Sequence, residues 1–370
     1  MTEITARPSM RLALAQAAQA RLLAPPNPAV GCVLVDATGN ILGIGHTQRV
    51  GSPHAEVMAL RDAAARGHNV QGATAYVTLE PCSHHGRTGP CCDALVHAGI
   101  GRVVASIADP NPQVAGNGFA RLRAAGVEVE VGPGAAESRE LNLGFFSRMV
   151  RKTPWVRMKI AASLDGSTAL ANGDSQWITS PEARADGHAS RARACAVLTG
   201  IGTILKDNPT LDARLVDTPR QPHLVVVDSR LDTPPDAHIF IAGRTVYICA
   251  SEQNDIKKAA LEAAGATVLY LPDAAGRVDL AEMLRELARR EINEVHVEAG
   301  HTLNGALVQA GLVDEFLVYL APKLIGPGLD MASLLPLAQL SGAVPLVFTS
   351  VSQVGPDIRI AARIPDRDQF

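Results

Sequence analysis

Two successive stretches of alternating helical and extended pattern, separated by a short basic segment, constrain this chain more than any other feature. In the first, residues 10–23 are Ala/Leu-rich and predict a helix stopped by Pro25-Pro26. Residues 30–36 and 41–45 are apolar runs flanking a Gly39-Asn40 turn, which predicts a hairpin. Ser52-Pro53 reads as an N-cap and first helical residue, with the helix running to Gly67. Strands at 73–79, 102–107 and 127–131 alternate with helices at 90–99 and 117–125, and a last helix reaches about Met149. Such alternation predicts a sheet covered by helices on both faces.

The pattern restarts after a segment containing Arg148, Arg151, Lys152 and Pro154. A chain of 370 residues exceeds the ~250–300 that one core sustains, so two domains are expected, at 1–148 and 154–370. In the second, strands are expected at 156–162, 196–200, 223–228, 245–249 and 294–298. Residues 315–321, 346–351 and 357–362 are extended with no long helix between them, which predicts an antiparallel edge.

Charge and composition exclude several classes. The net charge is −3, the sequence pI about 6.4 and the aromatic content 4%, which argues against a basic nucleic-acid surface with stacking platforms. No apolar run reaches the ~18 residues of a membrane helix, and MTEITARPSM lacks a signal-peptide pattern. A soluble, cytoplasmic protein is the expectation. Six cysteines are too sparse for a disulfide scaffold, but Cys82, Cys91 and Cys92 crowd together beside His84 and His85. That crowding points to metal.

His54-Ala55-Glu56 opens a helix, Pro81-Cys82 follows a strand, and Cys91 opens the next helix. Thiolates favour helix N-termini, where free N–H groups stabilise negative charge. One His and two Cys supply three zinc ligands, and a catalytic zinc keeps its fourth position for water. Glu56, two residues past the His, is placed to take that water's proton. His-x-Glu with Pro-Cys and a later Cys is the zinc-deaminase pattern. The usual spacing is Cys-x-x-Cys, whereas SHHGRTGP separates the cysteines here. A structural zinc closed by Cys92, His84 or His85, or no metal, stays open on these residues alone.

PNPAVGC at 26–32, HAEV at 54–57 and EPCSHHGRTGPCC at 80–92 resemble the N-terminal half of the bifunctional riboflavin-biosynthesis deaminase/reductase family. In that family the long insertion between the cysteines is normal. Gly89 stands where relatives usually have proline, which loosens the loop without removing a ligand. Relatives often carry a histidine where this chain has Thr47, next to His46. The resemblance implies a cytidine-deaminase-like α/β/α domain, one zinc on His54, Cys82 and Cys91, and Glu56 as proton shuttle. It also implies that Asn27, Arg87, Thr88, Asp109 and Asn111 hold a pyrimidine and its ribosyl phosphate.

In the second half, Gly200-Ile201-Gly202 is a weak dinucleotide fingerprint. The run from Glu298 through Gly300 to Gly305 is better, because a strand end, a glycine and a helix start together can receive phosphate. KIAASLDG at 159–166, GDSQWITS at 173–180, KDNPTLDAR at 206–214, VEAG at 297–300 and APKLIG at 321–326 resemble the family's reductase half, in order. That resemblance implies a dihydrofolate-reductase-like α/β domain using NADPH. It places Ala161, Trp177, Thr203, Asp207, Ser229, Gly300, His301, Thr302, Leu303, Asn304, Gly305 and Ala306 on the cofactor side. Lys159, Ser175, Arg191, Leu211, Arg214 and Glu298 fall on the substrate side. The family reading is an enzyme acting on a small phosphoribosyl-pyrimidine, binding no nucleic acid and no membrane, and forming a homo-oligomer. Its rivals are a nucleic-acid deaminase, disfavoured by charge, and a non-catalytic zinc or nucleotide-binding module, disfavoured by Glu56.

Overall fold

The computed structural model describes residues 8–83, 89–112 and 115–370. They form two compact units, one running to Arg151 with Phe370 grouped to it, the other spanning Lys152–Gln369.

The first unit opens with α1 (Pro8–Ala20) and the hairpin β1 (Gly31–Val35) and β2 (Ile41–His46). Then come α2 (Ala55–Ala65), β3 (Thr74–Val77), α3 (Cys91–His97), β4 (Arg102–Ala105), α4 (Asn117–Ala124) and β5 (Glu128–Val131). Two helices, α5 (Ala135–Leu141) and α6 (Leu143–Arg151), end it. The sheet order is β2-β1-β3-β4-β5, with β1 antiparallel to both neighbours and β3, β4 and β5 parallel.

β1 is buried along its length because helices cover both faces. Cys32 and Leu34 share a core with Ala55, Ala59 and Ala63 of α2, whereas Val33 and Val35 pack with Met10, Ala13 and Leu14 of α1. Glycines permit the close approach. A Cβ on Gly31 would sit 1.9 Å from Ala13 O, and one on Gly43 would sit 2.3 Å from Ala59 O.

Two expected boundaries differ. The helix expected from Pro53 starts at Ala55, with His54 extended at the N-cap (φ −75°, ψ 171°) and making no capping bond. That backbone turns the imidazole toward the cysteines instead of into a helical turn. The helix expected to run to Met149 is two helices, broken at Asn142. The Asn142 amide exchanges two hydrogen bonds with the Ala29 backbone, at 2.7 and 3.0 Å, and so ties the helix junction to the start of β1.

The second unit runs β6 (Trp155–Ser163), β7 (Ser167–Leu170), α7 (Pro181–Arg193), β8 (Ala196–Gly200), α8 (Ile201–Asp207), β9 (His223–Val227) and β10 (Val246–Ala250). It continues with α9 (Asp255–Ala263), β11 (Ala266–Tyr270), α10 (Leu280–Arg289), β12 (Glu294–Val297), α11 (His301–Gln309) and β13 (Glu315–Ala321). β14 (Gly328–Asp330), β15 (Val347–Val354) and β16 (Asp357–Arg363) complete it. The large sheet has the order β11-β10-β9-β8-β12-β6-β13-β16-β15, and β7 pairs with β14 apart from it. It is parallel from β11 to β13 and antiparallel at β16 and β15. On β6, Val156, Met158, Ile160 and Ala162 enter the apolar core. Alternation sends Arg157 and Lys159 to the opposite face, where the second site lies.

Candidate active sites

In the first unit, three elements converge. His54 stands at the start of α2, Cys82 follows β3, and Cys91 is the first residue of α3. Their ligand atoms lie within 4.8 Å of one another. Nδ1 of His54 is 3.6 Å from Cys82 Sγ and 3.3 Å from Cys91 Sγ. Tetrahedral zinc at ~2.3 Å from sulfur and ~2.05 Å from nitrogen separates such donors by about 3.6 Å, so the residues fit the metal.

The Cys91 N–H donates to Cys82 Sγ at 3.3 Å. The Cys91 thiol, that N–H and His54 favour the Cys82 thiolate against burial, and the hydrogen bond to Cys82 together with burial in turn holds the proton on Cys91. Cys92 faces away. Its thiol donates to Pro81 O (3.2 Å) and Gly118 O (3.5 Å), and burial pushes it up to about 12. Among the described residues the cluster is therefore His54, Cys82 and Cys91, without Cys92.

Glu56 is buried beside it, one residue into α2. Burial, then the Cys82 charge, raises its carboxyl above the ordinary carboxylate value. Asp109 is also buried and pushed up to about 7, first by burial and further by the Glu80 and Cys82 charges, against the Asn111 N–H that donates to its Oδ1 at 2.8 Å. Asn27 lies half-buried in the turn between α1 and β1. His46 contacts Gln16 Oε1 through Nδ1 at 3.3 Å, and Thr47 Oγ1 accepts from the Val30 N–H at 3.2 Å. Arg87 and Thr88, like His84 and His85, lie outside the described residues.

Sequence reasoning missed Glu80. Its buried carboxylate accepts four backbone N–H bonds, from Asp109 (3.2 Å), Gly116 (3.0 Å), Gly118 (2.9 Å) and Phe119 (3.2 Å). It thereby fixes the chain carrying Asp109 against the Pro81-Cys82 turn.

In the second unit, a cavity of about 530 Å³ is lined by Lys159, Ala161, Ser175, Trp177, Thr203, Asp207, Glu298 and Gly300 through Asn304, all singled out from sequence. Arg184 and Lys206 line it too, and were not. α11 begins at its wall, and a Cβ on Gly300 or Gly202 would meet nothing within 4 Å. Open space over a helix N-terminus fits a dinucleotide phosphate. Trp177 is 62% exposed, with Arg184 over its ring at 4.4 Å, so it is not a core residue.

Six of the residues singled out do not line that cavity. Gly305 packs instead: its Cβ would lie 2.2 Å from Ser333 O, and Ala306 follows it in the helix. Ser229 sits after β9, where its carbonyl accepts the Ser251 and Glu252 N–H groups. Arg191 donates to Glu298 and, through Nη1, to Asp212 O at 2.5 Å. Leu211 is buried at φ +50° in the loop that Arg191 anchors. Arg214, half-exposed, donates to Thr210 Oγ1 and Asp212 Oδ1.

Comparison with known proteins bears on both units. The family profile described as cytidine and deoxycytidylate deaminase zinc-binding region matches residues 5–107, and that described as RibD C-terminal domain matches 154–360. The chain belongs to the RibD family. The riboflavin biosynthesis protein RibD of Escherichia coli is 46% identical over 363 residues, covering 94% of this chain and 96% of that protein. Its Aquifex aeolicus counterpart is 41% identical, covering 88% and 89%. The solved RibD of Acinetobacter baumannii superposes with a TM-score of 0.86 at 38% identity, covering 96% of this chain and 97% of that one. A Thermotoga maritima structure, titled a diaminohydroxyphosphoribosylaminopyrimidine deaminase/5-amino-6-(5-phosphoribosylamino)uracil reductase, gives 0.85 at 32%, with the same coverage. RibD proteins are bifunctional enzymes of riboflavin biosynthesis, and this chain has both their halves, a zinc-binding deaminase domain and an NADPH-dependent reductase domain. Among the described residues no helix is long and apolar enough to cross a membrane.

Proposed function

We propose that the chain catalyses two consecutive steps, with the deaminase at 1–148 and the reductase at 154–370. The first is hydrolytic deamination of 2,5-diamino-6-(5-phosphoribosylamino)pyrimidin-4-one. The second reduces the ribosyl group of 5-amino-6-(5-phosphoribosylamino)uracil to ribityl. The observation that carries this reading is Glu56 buried beside the His54, Cys82 and Cys91 cluster.

Zinc bound to those three residues supplies a water acidic enough to attack an amidine carbon near neutral pH. Glu56, buried beside the cluster, is the group that would accept that water's proton and return it to the departing amine. Asn27, Asp109 and Asn111, with Arg87 and Thr88, hold the pyrimidine and its phosphate. An amide offers the ring edge both a donor and an acceptor, and an arginine pairs with phosphate at two points.

In the second unit NADPH supplies the hydride. The turn Gly300–Asn304 and the start of α11 would receive its phosphates, with Ala161, Trp177, Thr203 and Asp207 lining the same cavity, and Ser229, Gly305 and Ala306 belong to the cofactor side by the family pattern. Lys159, Ser175 and Glu298 face the substrate. Burial lowers the Lys159 ammonium's affinity for its proton, the Glu298 charge opposes that shift, and both side chains line the cavity that would take the ribosyl group. Arg191, Leu211 and Arg214 shape the loop over it. The protein works in the cytoplasm as a homo-oligomer on a small molecule, without nucleic acid or membrane.

The test is incubation with the diaminopyrimidine phosphate, with and without NADPH, and identification of products by mass. Glu56→Gln is expected to keep its zinc and lose deamination by roughly 10²–10⁴. Near-normal ammonia release from that variant refutes the assignment.

A further inference from the structure

β12 is the central strand of the large sheet, between β8 and β6. Alternation sends Val295 and Val297 into the apolar core and puts Glu294, His296 and, just past the strand, Glu298 on the opposite face. The two glutamates are matched, Glu294 by Arg157 Nη1 at 3.2 Å and Glu298 by the paired bonds from Arg191. His296, between them, is fully buried, and neither ring nitrogen has a hydrogen-bond partner among the described residues. Its Nε2 stands 3.5 Å from Glu298 Oε1, a long contact. An imidazole left unsatisfied inside a protein costs stability, and such a group calls for a reason in the site it adjoins.

We propose that His296 is a positioning residue of the reductase, a neutral imidazole whose Nε2–H backs Oε1 of Glu298 and holds that carboxylate in place at the cavity wall. The inference rests on the reading of Glu298 as a substrate-facing group. Burial pushes His296 down to about 3, and the Arg157 and Lys159 charges from β6 and the Arg191 charge from α7 add to that, against the Glu298 charge. On the β8 side the residue opposite is Val197, whose side chain is apolar. A neutral ring carries one N–H, and the nitrogen that faces a carboxylate is the one that keeps it. The paired bonds from Arg191 move with a long arginine side chain, whereas an imidazole on a central strand is held by its own backbone. His296 therefore gives Oε1 a rigid stop, the support that a functional carboxylate needs behind it.

The full chain is assayed for NADPH oxidation with the deaminated pyrimidine. His296→Leu fills similar space without an N–H and is expected to lower the reductase kcat about 10-fold while the KM for NADPH holds. Because it removes an unsatisfied polar group, its melting temperature stays level or rises, which separates the loss from unfolding. His296→Gln keeps an N–H near the Nε2 position and is expected to restore kcat to within about 3-fold of the parent. Nitrogen NMR of the parent at neutral pH shows the ring neutral and protonated on Nε2, its signal assigned by its loss in His296→Gln. Zinc content and ammonia release are unchanged in both variants. Parental kcat in His296→Leu, an equal loss in both variants, or a ring protonated on Nδ1 overturns the positioning role. Glu298→Gln separates the two readings. If it is slow while His296→Leu is normal, only the role of His296 falls; if it oxidises NADPH normally, the reading of Glu298 falls and this one with it.

Discussion

Arg191 and Glu298 meet through two parallel hydrogen bonds, Nε to Oε1 at 2.6 Å and Nη2 to Oε2 at 2.9 Å, with both side chains largely buried. Burial pushes the Glu298 carboxyl up, but the Arg191 and Lys159 charges outweigh it and hold the group well below the usual carboxylate range. The carboxylate is therefore a fixed negative charge at the cavity wall. Arg191 also grips Asp212 O, so one guanidinium aligns both Glu298 and the loop that carries Arg214.

Glu298→Gln is expected to stop NADPH oxidation, by roughly 10²-fold or more, because a misplaced acceptor carbon is penalised steeply in hydride transfer. Ammonia release from the other unit stays normal. Opening the pair leaves the Arg191 charge unmatched at a cost of about 3–5 kcal/mol, so both assays belong well below the variant's melting temperature. Arg191→Lys keeps the charge but loses the fork and the grip on Asp212, and is expected to raise the reductase KM more than it lowers kcat. If Glu298→Gln oxidised NADPH normally, the pair would be a structural tie alone.

Cys91→Ser and Cys92→Ser separate the ligand from its neighbour. Cys92 bonds Pro81 O and Gly118 O and turns no sulfur toward His54. Metal analysis is expected to find about one zinc per chain in the parent and in Cys92→Ser, and little in Cys91→Ser. The reverse result moves the ligand by one residue.

The His54, Cys82 and Cys91 cluster was legible because zinc chemistry restricts which side chains could hold a metal and the helix starts announce where thiolates are stable. Pro90 correctly marked the start of α3. Ser52-Pro53 misplaced the start of α2, since it reports local capping preference, whereas His54 is held extended beside two cysteines distant in sequence. β7 and β14 escaped notice because each is too short to show periodicity and each exists by pairing with the other, Leu170 opposite Gly328. The segments around the second unit's cavity were recognisable only as an ordered set, and Arg191 shows why: its partners, Glu298 and Asp212, are far away along the chain.

Glu80 left no readable signal, because its partners are backbone N–H groups that any residue supplies. Glu80→Gln sets an amide NH₂ against those N–H donors. It is expected to cost the first unit roughly 1.5–3 kcal/mol, the worth of hydrogen bonds to a charged group. Loosening the Asp109 segment should raise the deaminase KM while zinc content and NADPH oxidation hold steady. Unchanged KM with normal stability would show that another contact positions that segment.

Acid stability of the second unit follows from Glu315. The side chain is buried and accepts from Trp155 Nε1 (3.1 Å), Arg157 Nε (3.0 Å) and Arg363 Nη2 (3.4 Å). Burial alone would raise its pKa, but the Arg157 charge and hydrogen bonds, then Arg363, bring it down from 4.5 to about 2. A carboxyl that binds protons more weakly when folded stabilises the fold above its unfolded pKa. That contribution is complete above about pH 5, fades as pH falls through the interval, and is gone below about pH 2. A shift of this size corresponds to about 3 kcal/mol, in line with the cost of breaking a buried ion pair. Glu315→Gln mimics the protonated form. Urea unfolding of the second unit at pH 7 is expected to show it less stable by that amount, and the two curves should converge as the pH approaches 2. A gap that stayed constant from pH 7 to pH 2 would show that Glu315 acts through shape and not through its charge.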